Sequence, residues 1–171
     1  MCIRDSDNAD LGRLVEPTIE ALAGEDVIVV VSTGGRDVSE LKAALPMNTF
    51  VAEYIPHDLL LPKVDVMVTN GGYGAVQRAL ATGVPLVVAG NTEDKPEVAA
   101  RVAWTGAGID LRTGTPTVRA VRAAVRDVLN DGRYLRAART LETAFARRCG
   151  VAEIAALVDE VIGEHRTAVN R

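Results

Sequence analysis

A glycine-rich turn at residues 70–75 is the part of this 171-residue chain whose residue types and spacing could do chemistry. The apolar run Val66–Val68 precedes the turn and predicts a buried parallel strand, and the apolar spacing after it predicts a helix that ends at Gly83. The amino end of such a helix presents unpaired backbone N–H groups and a positive dipole. The turn is therefore a candidate site for an anion such as a diphosphate, although an ordinary tight turn accounts for the glycines equally well.

The spacing of these glycines differs from the dinucleotide-binding fingerprint G-x-G-x-x-G. Gly72 and Gly74 match its first two glycines, but Gln77 occupies the position of the third. In that fingerprint the third glycine allows the helix to pack closely on its strand. The pattern therefore argues against a dinucleotide site of that type.

The stretch around the turn resembles the donor-binding signature of the GT-B glycosyltransferases, in particular the family of UDP-dependent and macrolide-antibiotic transferases. That signature runs H-x-G-x-x-[ST]-x-x-E-x-x-x-x-G-V-P and continues, after several apolar residues, to a D-Q pair. This chain has Gly72, Ala75, Gly83-Val84-Pro85 and Asp94-Lys95 at matching positions, and the resemblance extends over most of the chain from about Leu11. It implies an α/β fold with a Rossmann-like parallel sheet flanked by helices, the C-terminal half of a GT-B fold.

The resemblance also implies roles for individual residues, each carried over by its position in the signature. The donor phosphates would meet the turn, the base and ribose would meet a segment near residue 55 and one residue of the helix, and the sugar would meet the D-Q position. The residues implied for phosphate binding are Asn70, Gly71, Gly72, Tyr73, Gly74 and Ala75. Those implied for the base and ribose are Tyr54, Ile55, His57 and Arg78, and those implied for the sugar are Asp94 and Lys95.

Three of these residues have an alternative interpretation that needs no ligand. Tyr54 can stack on a base, since every base has a π-face, or it can simply end a strand. His57 stands where the family has glutamine, but a surface residue is the favoured interpretation of it from the sequence alone. Asp94 can accept hydrogen bonds from sugar hydroxyls, and it can also cap the helix that begins at Lys95-Pro96.

The chain departs from the family pattern at three positions. Asn70 replaces the histidine that binds the donor phosphate, and asparagine donates hydrogen bonds without carrying a positive charge. Arg78 replaces the glutamate that holds the ribose hydroxyls, and arginine cannot accept a hydrogen bond. Lys95 replaces the glutamine of the D-Q pair. These changes bear on which base and sugar are recognised more than on the fold.

A second loop is a candidate for ligand contact. The β-branched run Val27–Val31 predicts a central strand, and Thr33 and Gly34 follow it. Ligands of open α/β sheets lie beyond the carboxyl ends of the strands, so these two residues could reach one. A plain turn into the next helix is an equally good interpretation.

The composition limits the possible classes of protein. Hydrophobic residues make up 48% of the chain and aromatic residues 4%, so the predicted core is aliphatic. A net charge of -4 gives no indication of nucleic-acid binding. The cysteines, Cys2 and Cys149, form no disulfide framework, and no apolar run is long enough to cross a membrane. These features predict a cytoplasmic protein without a membrane partner.

The predicted domain organisation has three parts. Residues 1–8 are expected to be a non-native or disordered start, because they make no convincing strand and the family has an apolar strand before the helix that begins near Ala9. Residues 9–165 form the nucleotide-sugar-binding domain, and residues 166–171 are a frayed tail.

By the resemblance, the chain binds a UDP- or dTDP-sugar and belongs to a hexosyltransferase of antibiotic biosynthesis that transfers the hexose to a hydroxyl of a small natural product. The expected mechanism uses no cofactor and no metal ion, since no residues have metal-ligand spacing. The family keeps its general base in an N-terminal acceptor-binding domain, so this chain alone is expected to be inactive, with no catalytic residue of its own. The alternative is a non-catalytic binding module or auxiliary subunit of the same fold, which Asn70 and Arg78 favour.

Overall fold

The computed structural model describes the backbone of residues 2–4 and 10–169 and the side chains of residues 10–162. The described strands form a six-stranded sheet with the order β3-β2-β1-β4-β5-β6, in which every neighbouring pair is parallel. The strands are β1 (Cys2–Arg4), β2 (Val29–Ser32), β3 (Thr49–Ala52), β4 (Met67–Thr69), β5 (Leu86–Val88) and β6 (Gly108–Asp110).

Helices cover both faces of the sheet. The helices of the described residues are α1 (Val15–Leu22), α2 (His57–Leu60), α3 (Tyr73–Ala81), α4 (Lys95–Thr105), α5 (Val118–Asn130), α6 (Gly132–Ala146) and α7 (Gly150–Val169), with single 3₁₀ turns at Leu11–Arg13, Val38–Glu40 and Leu61–Lys63. Within the described residues, no helix has both the length and the apolar character that a membrane span requires. This architecture confirms the predicted α/β fold with a parallel sheet between helices.

The alternation of side chains along β4 and β5 explains why two helical layers form. Val68 and its register partner Val87 pack in one core with α1 and α5, whereas Met67 and its partner Leu86 pack in a second core with α3 and α4. Successive side chains of a strand point to opposite faces, so a run of apolar residues is buried on both sides. The strands Met67–Thr69 and Leu86–Val88 are indeed buried throughout.

Two arginines on α5 connect that helix to α1 and to the segment after α1. Arg126 donates to both carboxylate oxygens of Glu25, at 2.8 and 2.9 Å, and Arg122 Nε donates to the carbonyl of Ala21 at 2.7 Å. The hydrogen bond from Arg126 lowers the pKa of Glu25.

The structure differs from the sequence-based prediction at the amino end of the chain. Cys2–Arg4 forms β1, which lies between β2 and β4, although no strand was expected within residues 1–8. The sheet supplies the reason, because β2 and β4 offer backbone partners on both sides of a segment that has no apolar pattern of its own. At the other end, α7 continues to Val169, and residues 170–171 of the predicted frayed tail lie outside the described residues, so that tail stays a prediction. The proposed domain boundary at residue 9 stays a prediction.

The direction in which successive strands are added to the sheet reverses between β1 and β4. From β1 it proceeds to β2 and β3 on one side, and from β4 to β5 and β6 on the other. Open α/β sheets bind their ligands in the crevice outside the carboxyl ends of the strands at such a reversal. The glycine turn at residues 70–75 directly follows β4 and so belongs to this edge.

Candidate functional site

The predicted site residues lie in the loops and helices that follow four different strands. Thr33 and Gly34 come after β2, residues 54–57 after β3, residues 70–75 after β4, and residues 94–95 after β5. Since all of these strands are parallel, the four loops lie along one edge of the sheet. The topology therefore brings together residues as far apart in the chain as Thr33 and Lys95, and β1 lies between the β2 and β4 loops.

The amino end of α3 is open. Gly72 occupies its N-cap position, and in the described structure no side chain there makes a capping hydrogen bond. Asn70 Oδ1 instead accepts from the N–H of Gly72 at 3.1 Å, which holds the turn before the helix begins. A Cβ atom on Gly74 would meet nothing within 4 Å, and the side chain of Tyr73 is 58% exposed. A ligand can therefore approach the backbone of the first helical turn.

The glycine turn packs tightly against the loop after β5. Gly71 has a φ of +88°, which few other residues adopt, and a Cβ there would lie 2.9 Å from Val88 Cγ1. A Cβ on Gly90 would overlap the carbonyl oxygen of Asn70. The two loops therefore approach at backbone distance, which fixes the position of the open end of α3 relative to α4.

The D-Q position lies at the start of α4. Asp94 is the N-cap residue of that helix, but its exposed side chain makes no capping hydrogen bond, so capping does not explain this carboxylate. Lys95 is buried, and its Nζ lies 2.9 Å from Glu93 Oε2 and 3.2 Å from Thr92 Oγ1. The site thus has an acceptor on its surface and a buried cation beside it.

The segment after β3 separates into exposed and buried residues. Tyr54 is 64% exposed, as a residue that stacks on a ligand would be, and Ile55 is half-buried. His57 is 3% exposed and is the first residue of α2. The interpretation of His57 as a surface residue was therefore wrong, because the short α2 turns this side chain into the protein.

The remaining predicted residues, Thr33, Gly34 and Arg78, differ in exposure. Thr33 is buried and its hydroxyl donates to the carbonyl of Arg36, while Gly34 has a φ of +75° and is half-buried. Thr33 thus shapes its loop, and its hydroxyl proton is used there. Arg78 is exposed on α3, more than a turn beyond the amino end.

The structure adds polar residues to this edge that the sequence did not suggest. Arg13, from the 3₁₀ turn before α1, donates to Asn91 Oδ1 at 3.3 Å, and Asn91 belongs to the loop after β5. A Cβ on Gly114 would collide with this pair. No local pattern marks residues that meet only through the sheet, so only a three-dimensional structure could find them.

The described residues contain no group of three or more histidine, cysteine, aspartate or glutamate side chains that could hold a metal ion. The chemistry that this edge offers is hydrogen bonding and charge. It combines backbone donors at α3, the carboxylate of Asp94, the ammonium of Lys95 and the exposed ring of Tyr54. Such a set suits a ligand with an anionic centre, hydroxyl groups and a flat ring.

Known proteins with similar sequences include a synthase and UDP-glucosyltransferases by name. The chain is 49% identical over 153 residues to a 4'-demethylrebeccamycin synthase of Lentzea aerocolonigenes, covering 90% of this chain and 36% of that protein. It is 42% identical over 132 residues to UDP-glucosyltransferase 1 of Beauveria bassiana, covering 76% of this chain and 29% of that protein. The chain therefore spans about a third of the length of these relatives.

Solved structures of the same fold include the glycotransferase of kitacinnamycin, with a TM-score of 0.78 and 28% identity over 93% of this chain and 42% of that one. A calicheamicin glycosyltransferase matches with a TM-score of 0.82 and 25% identity over 95% of this chain and 43% of that one. The family model described as "Erythromycin biosynthesis protein CIII-like, C-terminal domain" matches residues 16–161. With its open helix end at the carboxyl edge of a parallel sheet, this chain belongs to that family of glycosyltransferase C-terminal domains.

Proposed function

We propose that this chain is the donor-binding part of a glycosyltransferase that moves a hexose from a UDP- or dTDP-sugar to a hydroxyl of a small natural product. The open amino end of α3 carries the proposal, because it offers backbone donors and a dipole where a diphosphate would lie. The names of the relatives support a nucleotide-sugar donor, and one of them is a synthase of a rebeccamycin compound.

The proposed chemistry places negative charge at this end of α3. As an acceptor hydroxyl attacks the anomeric carbon, the bond from that carbon to the diphosphate breaks, and the leaving diphosphate takes the electron pair. Donors that are already oriented stabilise such charge without having to reorganise during the reaction. The helix end would therefore lower the barrier as well as bind the donor, with no metal ion or other cofactor.

The other site residues would hold the two ends of the donor. Tyr54 would stack on the base, with Ile55 beside it and His57 beneath, and the carboxylate of Asp94 would accept hydrogen bonds from sugar hydroxyls. Arg78 would meet an anionic group of the donor or of a partner, since it cannot accept from ribose hydroxyls. The general base that deprotonates the acceptor would come from an N-terminal acceptor-binding domain of a longer protein.

Calorimetric titration tests the diphosphate part of this proposal. UDP or dTDP should bind at least about tenfold more tightly than uridine or thymidine, because charge-assisted hydrogen bonds at the helix end are worth roughly 1.5–3 kcal/mol. Equal affinities of nucleotide and nucleoside would remove the phosphate role of residues 70–75.

A non-catalytic binding module is the second candidate, favoured by Asn70 and Arg78 in place of a histidine and a glutamate. The full-length protein distinguishes the two. Turnover of a UDP- or dTDP-sugar with a hydroxylated natural-product acceptor would support the enzyme. Donor binding without any turnover or hydrolysis across a panel of acceptors would support the module.

A further inference from the structure

Lys95 is a charged side chain in an unusual place. It is 8% exposed, and its stem packs against the two glycines at which the β4 and β5 loops meet. A Cβ on Gly71 would lie 3.6 Å from Lys95 Cβ, and one on Gly90 would lie 2.9 Å from it. Burying an ammonium group costs free energy unless it is compensated, so a lysine here calls for a reason beyond packing.

A residue that pairs with Lys95 has a strained backbone. Glu93 has a φ of +56°, in the left-handed region that glycine favours, and within the described part of the chain Arg112 is the other non-glycine residue with positive φ. This conformation accompanies a 2.9 Å ion pair between Glu93 Oε2 and Lys95 Nζ. The Glu93 side chain is 62% exposed while that of Lys95 is 10% exposed. The pair therefore joins a buried ammonium group to a carboxylate whose side chain is open to solvent.

The charges around the open end of α3 show what Lys95 could do. The helix end is equivalent to roughly half a positive charge, which is far less than a diphosphate carries. Asn70, at the start of the turn, is neutral, and Arg78 lies exposed further along the helix. Lys95 is a cation beside the glycine turn, since a Cβ built on Gly71 would lie 3.6 Å from Lys95 Cβ.

We propose that Lys95 supplies the positive charge for the donor diphosphate, and that Glu93 is a resident counter-ion which the diphosphate displaces. This inference rests on the proposed function, since it concerns the same donor. Glu93 keeps the buried ammonium neutralised while the site is empty, and the flexible stem of lysine lets Nζ turn from the carboxylate to a phosphate oxygen. Donor binding then exchanges one anionic partner for another instead of desolvating a new charge.

If Glu93 is displaced in this way, removing its charge should increase the affinity for UDP. Removing one partner of a purely structural ion pair would not have this effect. In the full chain that carries these residues, Glu93→Gln should bind UDP about two- to fivefold more tightly, the worth of a solvent-exposed ion pair. Its affinity for uridine should not change. Lys95→Gln should bind UDP at least about tenfold more weakly, again with unchanged affinity for uridine.

Glu97→Gln is the matched control, because it removes one negative charge from the first turn of α4, close in the chain to Glu93. Glu97 pairs with Arg101 at 2.6 Å, and both side chains are exposed. This variant should bind UDP as the unmodified protein does, so that a gain in Glu93→Gln reports the pair with Lys95 and not the general loss of a negative charge.

Calorimetry with UDP and uridine, together with the melting temperature of each variant, decides the question. Weaker or unchanged UDP binding by Glu93→Gln would overturn the exchange. A Lys95→Gln variant that loses UDP and uridine affinity equally, with a lowered melting temperature, would show that Lys95 is merely structural. Failure of the unmodified protein to prefer UDP over uridine would remove the proposed function itself, and this inference with it.

Discussion

Glycines lie at both ends of α3, but the amino end faces open space whereas the carboxyl end is closely packed. At the amino end, a side chain on Gly74 would meet nothing within 4 Å. At the carboxyl end, Gly83 has a φ of +69°, and a Cβ there would lie 2.6 Å from Glu142 Oε2 and 2.7 Å from Arg139 Cδ, both on α6. The donor-binding signature that this chain resembles contains both ends, yet only one of them faces open space.

This difference teaches that a sequence signature can combine binding and packing requirements. The turn at residues 70–75 follows β4 at the carboxyl edge of the sheet, where ligands of such folds bind. Gly83-Val84-Pro85 precedes β5 at the opposite edge, and Val84 is 2% exposed within the second core. Substitutions at the two ends of α3 should therefore separate ligand affinity from stability.

The largest expected effect is at Gly90, where the amino-end loop meets its neighbour. Gly90→Ala would push a methyl group into the carbonyl oxygen of Asn70, and neither backbone can move without disturbing β4 or β5. We expect a loss of about 3 kcal/mol or more in the free energy of unfolding and a parallel loss of UDP binding. Urea denaturation measures the first, and an unchanged midpoint would contradict the close packing of the two loops.

Tyr54→Ala extends the comparison to the other end of the donor. If the 64% exposed ring stacks on the base, its removal should cost about 1–3 kcal/mol of binding free energy for UDP and for uridine alike. Because the ring is exposed, the melting temperature should hardly change. Tyr54→Phe is the control and should bind as the unmodified protein does. Full affinity in Tyr54→Ala would mean that Tyr54 only ends a strand and does not stack on the base.

Gly74→Asp tests the open end directly, with Gly74→Asn as an isosteric control. The aspartate has room, so its charge alone should weaken UDP binding by about tenfold, while uridine binding stays the same. A negative charge in the first turn favours the helix, so stability should not fall. Equal UDP affinity of the two variants would mean that the diphosphate lies elsewhere.

Gly83→Ala tests the packed end and should have the converse outcome. The left-handed backbone disfavours alanine by about 1–2 kcal/mol, and the side chains of Arg139 and Glu142 must move aside. We expect the melting temperature to fall and the affinity for UDP to stay unchanged in the folded protein. A change in UDP affinity without a change in melting temperature would break the proposed division between the two ends.

The smallest effect concerns a pair that belongs to neither end. Arg126 lowers the pKa of Glu25, so the pair stabilises the fold at pH values above the ordinary pKa of a glutamate, and this stability is lost as the pH falls through the lowered value. Glu25→Gln should therefore reduce the melting temperature slightly at neutral pH and not at strongly acidic pH. An equal decrease in melting temperature at neutral and at acidic pH would show that the ion pair is not the source of the effect.

Part of the site could be predicted because its signals are local. The run Val66–Val68 and the glycines after it indicate a strand, a turn and a helix, since an apolar run and flexible residues act over a few positions. The exposure of Tyr54 and the place of Asp94 at the start of a helix also agree with the sequence. The outcome for His57 was different, because its burial depends on how α2 lies on the sheet.

The sequence by itself determined the α/β class, the buried strands and the position of the glycine turn, because apolar periodicity and glycine act through neighbouring residues. Only the tertiary structure decided which loops meet. It joined Arg13 to Asn91, pressed Gly90 against Asn70 and enclosed Lys95 beside Glu93. Those contacts depend on the order of strands in the sheet, and hydrogen bonds between strands distant in the chain set that order without leaving a mark on any short stretch of residues.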